Sequence, residues 1–212
     1  MSPSDQSPPA ASPVLGVDGY ILEGIVTTLL ADGAPNISPM GPIVDARMKQ
    51  LWLRPFRTST TFRNLKRTGG GVFHVTDDVQ LLAQAAVGQP DPLPRLVSAE
   101  AIDGVVLADA CRWYAFEVES LDDSGERTSV VARVVDRGVL REFAGFNRAK
   151  HAVIEAAIFA TRVHLLGAEP VLREFDRLAE IVAKTGAAAE HQALAFLRQH
   201  LERGDQPAGP TS

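Results

Sequence analysis

Hydrophobic and polar positions alternate in short runs through the first two-thirds of the chain, then give way to long alanine-rich stretches of helical period. Tyr20 to Leu30 predicts a strand, because Ile21, Ile25, Val26 and Leu29 are interleaved with Thr27 and Thr28, which favour extended backbone. Asp32-Gly33-Ala34-Pro35-Asn36 is a turn, since Asp-Gly between apolar runs is a hairpin signal. Ile37 to Val44 is the returning strand, and its Pro39 and Pro42 cannot donate ladder hydrogen bonds, which makes it irregular or an edge. Gln50 to Leu53 and Val72 to Thr76 are further strands, separated by a short helix that Gly69-Gly70-Gly71 ends. Asp77-Asp78 opens a helix through Val79, Leu82 and Ala86 that stops at Gly88, with the two acids as N-cap and dipole partner. Trp113 to Leu121 and Ser129 to Val135 form a second hairpin around Asp122-Asp123-Ser124-Gly125-Glu126.

Three helices complete the pattern: Phe146 to Leu166 with Asn147 as cap, Val171 to Thr185, and Ala188 to Arg203. The expected organisation is a tail over 1–17, an antiparallel β-domain over 18–145, a helical segment over 146–203 and a tail over 204–212. The fold class is mainly β (α+β), an antiparallel barrel with appended C-terminal helices.

Composition narrows the partners. A formal charge of −5 and a pI near 5.5 argue against a nucleic-acid groove. No apolar run reaches membrane-spanning length, and no secretory h-region is visible. The single Cys111 cannot form an internal disulfide, so a cytoplasmic location is expected. Its strand-like surroundings suit a buried structural thiol.

Against this acidic background, the run from Arg54 to Arg67 stands out. It holds five cations, four consecutive hydroxyl residues and no acid. Guanidinium forks, hydroxyls and the free N–H groups of a helix start are the donors that a phosphate needs. The same residues also suit an N-cap and a solvated basic face, so both readings stand open here. In the first C-terminal helix, Arg148, Glu155 and Arg162 recur every seven residues and share one stripe. A helix this apolar needs partners for such charges, either ion pairs or a ligand. The five histidines show no zinc spacing, and His74 between Phe73 and Val75 suits a hydrogen-bonded strand position. No Gly-x-Ser-x-Gly turn or phosphate-binding glycine loop is present. An anion seat without an acid–base set suits a protein whose cofactor does the chemistry.

The runs Ile25-Val26-Thr27-Thr28-Leu29 and Asp32-Gly33-Ala34-Pro35-Asn36-Ile37-Ser38-Pro39-Met40-Gly41-Pro42 resemble the opening hairpin of flavin-reductase-like, FMN-binding split barrels. So do Arg57-Thr58-Ser59-Thr60-Thr61-Phe62-Arg63-Asn64-Leu65 and Gly71-Val72-Phe73-His74-Val75-Thr76-Asp77-Asp78. With Asn147-Arg148-Ala149 and Ala160-Thr161-Arg162, the combination is most similar to the domain-of-unknown-function family four-forty-seven, from about Tyr20 to Leu166. That family occurs in organisms with methanopterin-linked one-carbon chemistry. The resemblance implies a homodimer of split β-barrels with FMN in intersubunit clefts. It places Arg57, Thr58, Ser59, Thr60 and Thr61 on the phosphate, with Asn64 nearby. Asn36, Ser38, Pro39, Met40 and Gly41 would run beside the isoalloxazine ring. Thr76 stands where flavin reductases often carry asparagine, and Asn147 and Arg148 would reach a cofactor across the dimer. The implied function is a flavoprotein oxidoreductase. The alternatives are a non-enzymatic flavin-binding module, or a split barrel that uses deazaflavin or haem.

Overall fold

The computed structural model describes residues 19–204, so the expected tails lie outside the described residues apart from Gly204. Eight strands form one antiparallel sheet: β1 Tyr20–Ile21, β2 Gly24–Leu29, β3 Pro35–Met40, β4 Ile43–Val44, β5 Gln50–Leu53, β6 Gly70–Val75, β9 Arg112–Asp122 and β10 Ser129–Val139. Their order is β1-β4-β5-β10-β9-β6-β2-β3. Strands β7 (Leu96–Ser98) and β8 (Val105–Leu107) form a separate two-stranded sheet that the sequence pattern does not announce.

The sheet curls on itself. Val44, Leu51 and Leu53 from one end share a core with Val26 and Phe73 from the other, and Phe116, Val130 and Ala132 lie between them. Register shifts at Val131/Ala132 and Val134/Asp136 bend the long β9–β10 hairpin, as bulges do. Leu65 from helix α1 (Thr60–Thr68) enters the same core. Where β2 crosses β6, a Cβ on Gly24 would stand 2.2 Å from the His74 carbonyl oxygen, so only glycine permits the approach.

The expected strand Tyr20–Leu30 breaks at Leu22–Glu23. Leu22 N–H turns to donate to the Pro42 carbonyl at 3.1 Å, which straps the two broken strands together. The expected long helix also breaks: α3 covers Arg148–Thr161, and Arg162 N–H donates to Phe159 O in a tight turn before the short α4, Val163–Leu166. Helices α5 (Ala168–Thr185) and α6 (Ala188–Glu202) follow.

Helix α2 (Val79–Val87), α3, α5 and α6 bury their apolar stripes together with Ile25 and Ile37 of the sheet. Alanines 149, 152, 156, 157 and 160 give α3 a flat buried face, which allows its neighbours to approach closely. Among the described residues, no helix is long and apolar enough to cross a membrane.

Candidate functional site

Local chemistry fixes the start of α1. Ser59 is its N-cap, with Oγ accepting from Phe62 N–H at 3.1 Å. The cap leaves the N–H groups of Thr60 and Thr61 without intrahelical acceptors. Beneath the helix start lies a buried polar web. Asn36 Nδ2 donates to Thr28 Oγ1 and Thr61 Oγ1, each at 3.2 Å. Asn64 Nδ2 donates to Thr28 Oγ1 at 2.9 Å, and Gln89 closes the web through Asn36 Oδ1. Asn36 and Asn64 therefore fix α1 against β2 and β3.

The turn before α1 is strapped to the distant β9–β10 turn. Thr128 N–H and Oγ1 both donate to Pro55 O, at 3.0 and 2.9 Å, and Arg57 N–H donates to Glu126 O at 3.0 Å. The strap brings the Arg127 guanidinium over the Phe56 ring, 4.3 Å from its centroid.

A cleft of about 400 Å3 opens above this frame. Ser38, Pro39, Met40 and Gly41 form one wall, and Ser59, Thr61, Arg54 and Phe56 join them with Arg127 from the hairpin turn. Leu82, Ala85 and Ala86 of α2 and Ile154, Ala157, Ile158, Thr161 and Arg162 from α3 complete it, together with Ile21 and Glu23. Arg54, Arg127 and Arg162 form no ion pair among the described residues, although Arg127 Nη1 reaches the Arg54 carbonyl at 3.4 Å.

The cleft thus gathers Ser38, Pro39, Met40, Gly41, Ser59 and Thr61 of the sequence-derived candidates. Asn36 and Asn64 lie behind its wall. Arg57 and Thr58 are exposed beside it, and Thr60 accepts a bond from Arg63 at 3.1 Å. The other cations of the basic run have structural partners: Lys66 pairs with Asp123 at 2.7 Å, Arg63 donates to Thr58 O, and Arg67 donates to Leu29 O. Thr76 accepts from Asp78 N–H and borders a separate cavity of about 260 Å3, whose charged pair Arg95–Asp109 is already joined at 2.7 Å. Asn147 caps α3, accepting from Ala149 and Lys150 N–H and donating to Thr185 O at 3.0 Å. Arg148 is exposed beside it, about 21 Å of helical rise from Arg162.

The sequence reading included Arg54 in the basic run but did not place Arg127 or Glu23 in the site. The seven-residue stripe singles out Arg162, but Arg127 reaches the cleft only through the strap. His74 is structural: burial first, against a bond to Ile25 O, lowers its pKa to about 4. Its neutral ring donates from Nδ1 to Ile25 O at 3.2 Å and accepts Leu107 N–H on Nε2 at 3.0 Å. Cys111 is fully buried, and that burial raises its pKa.

A curled antiparallel sheet with covering helices and a cleft beside β3 is the architecture of flavin-reductase-like split barrels. The family models described as "Protein of unknown function (DUF447) N-terminal domain" and "Protein of unknown function (DUF447)" match residues 22–141 and 147–199, and the chain belongs to that family. An FMN-bound DUF447 protein from Methanosarcina mazei superposes with a TM-score of 0.71 at 26% identity, covering 84% of this chain and 94% of that one. Flavoredoxin from Methanosarcina acetivorans gives a TM-score of 0.50 at 9% identity, over 61% of this chain and 76% of that one, a likeness of fold alone. No curated protein sequence matches the chain.

Proposed function

We propose that the chain is an FMN flavoprotein that passes electrons or a hydride to a small acceptor. One observation carries this reading: the cleft joins an apolar wall along Pro39 and Met40 to a helix start and three arginines that form no ion pair among the described residues. Its volume of about 400 Å3 lies within the roughly 300–1,000 Å3 usual for small-molecule sites. The residues fit the cofactor. Ser59, the N–H groups of Thr60 and Thr61, and Arg54 and Arg127 would hold its phosphate. Ser38 to Gly41 would run beside the ring, where Met40 offers a polarizable contact. Ile154, Ile158 and Leu82 would exclude water from the other side.

When bound, the flavin supplies the redox chemistry, accepting and releasing a hydride equivalent. The chain's own residues bind it, orient it and set its surroundings. The relative from Methanosarcina mazei, described as FMN-bound, supports this choice of cofactor. Methanopterin-linked one-carbon metabolism is the proposed setting, and a cytoplasmic homodimer the proposed working form. The exposed Phe146 and Leu165, at the two ends of the α3–α4 segment, are apolar surface that a second copy would cover.

The test is spectroscopic. Purified chain titrated with FMN should quench flavin fluorescence to an endpoint of one FMN per chain. A haem or deazaflavin spectrum in the isolated protein, or no binding, would sink the FMN assignment. Anaerobic mixing with NADH and then NADPH tests the oxidoreductase half. Bound flavin that neither these nucleotides nor a protein donor reduces would leave a binding module instead.

A further inference from the structure

Among the described residues, Glu23 is the only carboxylate that lines the cleft. It sits at the break between β1 and β2, where Leu22 is tied to Pro42, and its carboxylate lies over Gly41. A Cβ placed on Gly41 would stand 2.8 Å from Oε2 and 2.9 Å from Oε1, so the absence of a side chain there makes room for the acid. Among the described residues, neither oxygen accepts a hydrogen bond or joins an ion pair. Glu23 is exposed, so solvent meets these oxygens and leaves them free for a ligand of the cleft.

We propose that Glu23 is the acid of the cleft, giving a proton to the acceptor that draws a hydride from the bound flavin. The proposal rests on the FMN reading above. The acceptor is a small molecule with a polarised double bond, such as a quinone or another carbonyl compound. It takes two electrons and one proton as hydride from reduced FMN, which is thereby oxidised by two electrons. The acceptor's oxygen takes the second proton from Glu23, the carbonyl π bond becomes an O–H bond, and Glu23 is left as carboxylate until water returns its proton.

The surroundings suit an acid. Glu23 is exposed to solvent, which allows reprotonation. Enough of the carboxyl is enclosed that burial first, and the charge of Glu155 on α3 second, raise its pKa above the ordinary glutamate value. The other charged groups of the cleft are Arg54, Arg127 and Arg162, and none of them contributes to this shift. A raised value brings a carboxylic acid closer to the pH at which it can act as a donor.

The experiment compares the FMN-loaded wild-type chain with Glu23→Gln, which keeps the shape and loses the acid. Each is reduced photochemically without oxygen and mixed rapidly with menadione or with ferricyanide. Ferricyanide takes single electrons and no proton. We expect the variant to reoxidise about 100-fold more slowly with menadione, in the usual range for general acids, and at the wild-type rate with ferricyanide. The wild-type menadione rate should fall as pH rises through the Glu23 midpoint, and the variant's should stay flat over that range. A readout independent of turnover comes from the cofactor-free chain. Carbon-13 carboxyl titration should place Glu23 above about 4.3, and Glu155→Gln should lower it. Equal menadione rates with FMN affinity retained, or an ordinary titration midpoint, would overturn the assignment of Glu23 and leave the flavin reading standing. Failure of the wild-type chain to bind FMN would overturn both.

Discussion

Charged side chains gather in two places around α3, and the two gatherings are opposites. Near its N-terminal end Asp77, Arg141, Lys150 and Glu190 partner one another. Asp77 accepts from the Arg141 guanidinium and from Ala144 N–H at 3.0 Å. Lys150 Nζ donates to the Asp77 carbonyl at 2.7 Å and pairs with Glu190 at 2.9 Å, while Glu190 also accepts Ala187 N–H at 2.8 Å. This clasp joins the turn between β6 and α2, the loop after β10, α3 and α6. At the other end of α3 the cleft holds Arg54, Arg127 and Arg162, which form no ion pair among the described residues. Saturated charges hold the architecture together, and unsatisfied charges around a cavity leave hydrogen-bonding capacity for a ligand.

The largest expected effect breaks the clasp. The Glu190 side chain is only 5% exposed, so Lys150→Met leaves a buried charge without its partner. The expected loss is about 3–5 kcal/mol of folding stability, read from the denaturant midpoint. The matching change in the cleft, Arg162→Met, should cost no more than about 0.5 kcal/mol, because no ion pair is lost. Similar costs for the two variants would erase the distinction between clasp and cleft.

Ligand affinity should respond in the reverse order. On the proposed phosphate site, Arg54→Ala and Arg127→Ala would each remove a charge-assisted hydrogen bond, worth about 1.5–3 kcal/mol, or roughly 10- to 150-fold in FMN affinity by fluorescence titration. Lys150→Met, measured where the chain stays folded, should leave that affinity within about threefold. Arg57→Ala sharpens the comparison, since Arg57 is exposed just outside the lining. A loss at Arg57 as large as that at Arg127 would move the phosphate to the outer side of the turn.

Local signals made much of this frame legible in the sequence. Ser59, Asp78 and Asn147 cap helices where residue type predicts, and Asp32-Gly33 turns between β2 and β3. Pro39 and Pro42 predict an irregular or edge strand over Ile37 to Val44, and it divides at Gly41-Pro42 into β3, which ends the sheet, and β4. Long-range partners were not legible. Arg127 reaches the cleft because Thr128 is tied to Pro55, 73 residues away, and nothing in the acidic turn before it signals that contact. Glu23 looked like one residue of a continuous strand, because the break depends on Leu22 meeting Pro42. Asp77, expected beside Asp78 as a dipole partner of α2, belongs to the clasp, since Arg141 returns to it after the β9–β10 hairpin. Strands β7 and β8 are three residues each, too short to show a period.

Asp77 offers the smallest but most selective test, because it gives the clasp a pH signature. Its hydrogen bond with Arg141, then Ala144 N–H and the nearby charge of Lys150, outweigh burial and lower its pKa from 3.8 to about 2. The sign follows from linkage. The folded state binds this proton less tightly than the unfolded state does, so the stabilisation is fully present above about pH 4 and is lost as pH falls toward 2. Solvent screens part of it, since the Arg141 side chain is 40% exposed, which leaves about 1–2 kcal/mol. Asp77→Asn should therefore be less stable than wild type by about that amount at pH 7, with the two midpoints converging near pH 2. Phosphate binding in the cleft should be indifferent to the change between pH 5 and 7, because Asp77 stays ionised there and does not line the cleft. Asp77→Asn weakening FMN binding as much as Arg127→Ala would mean that clasp and cleft are one coupled unit.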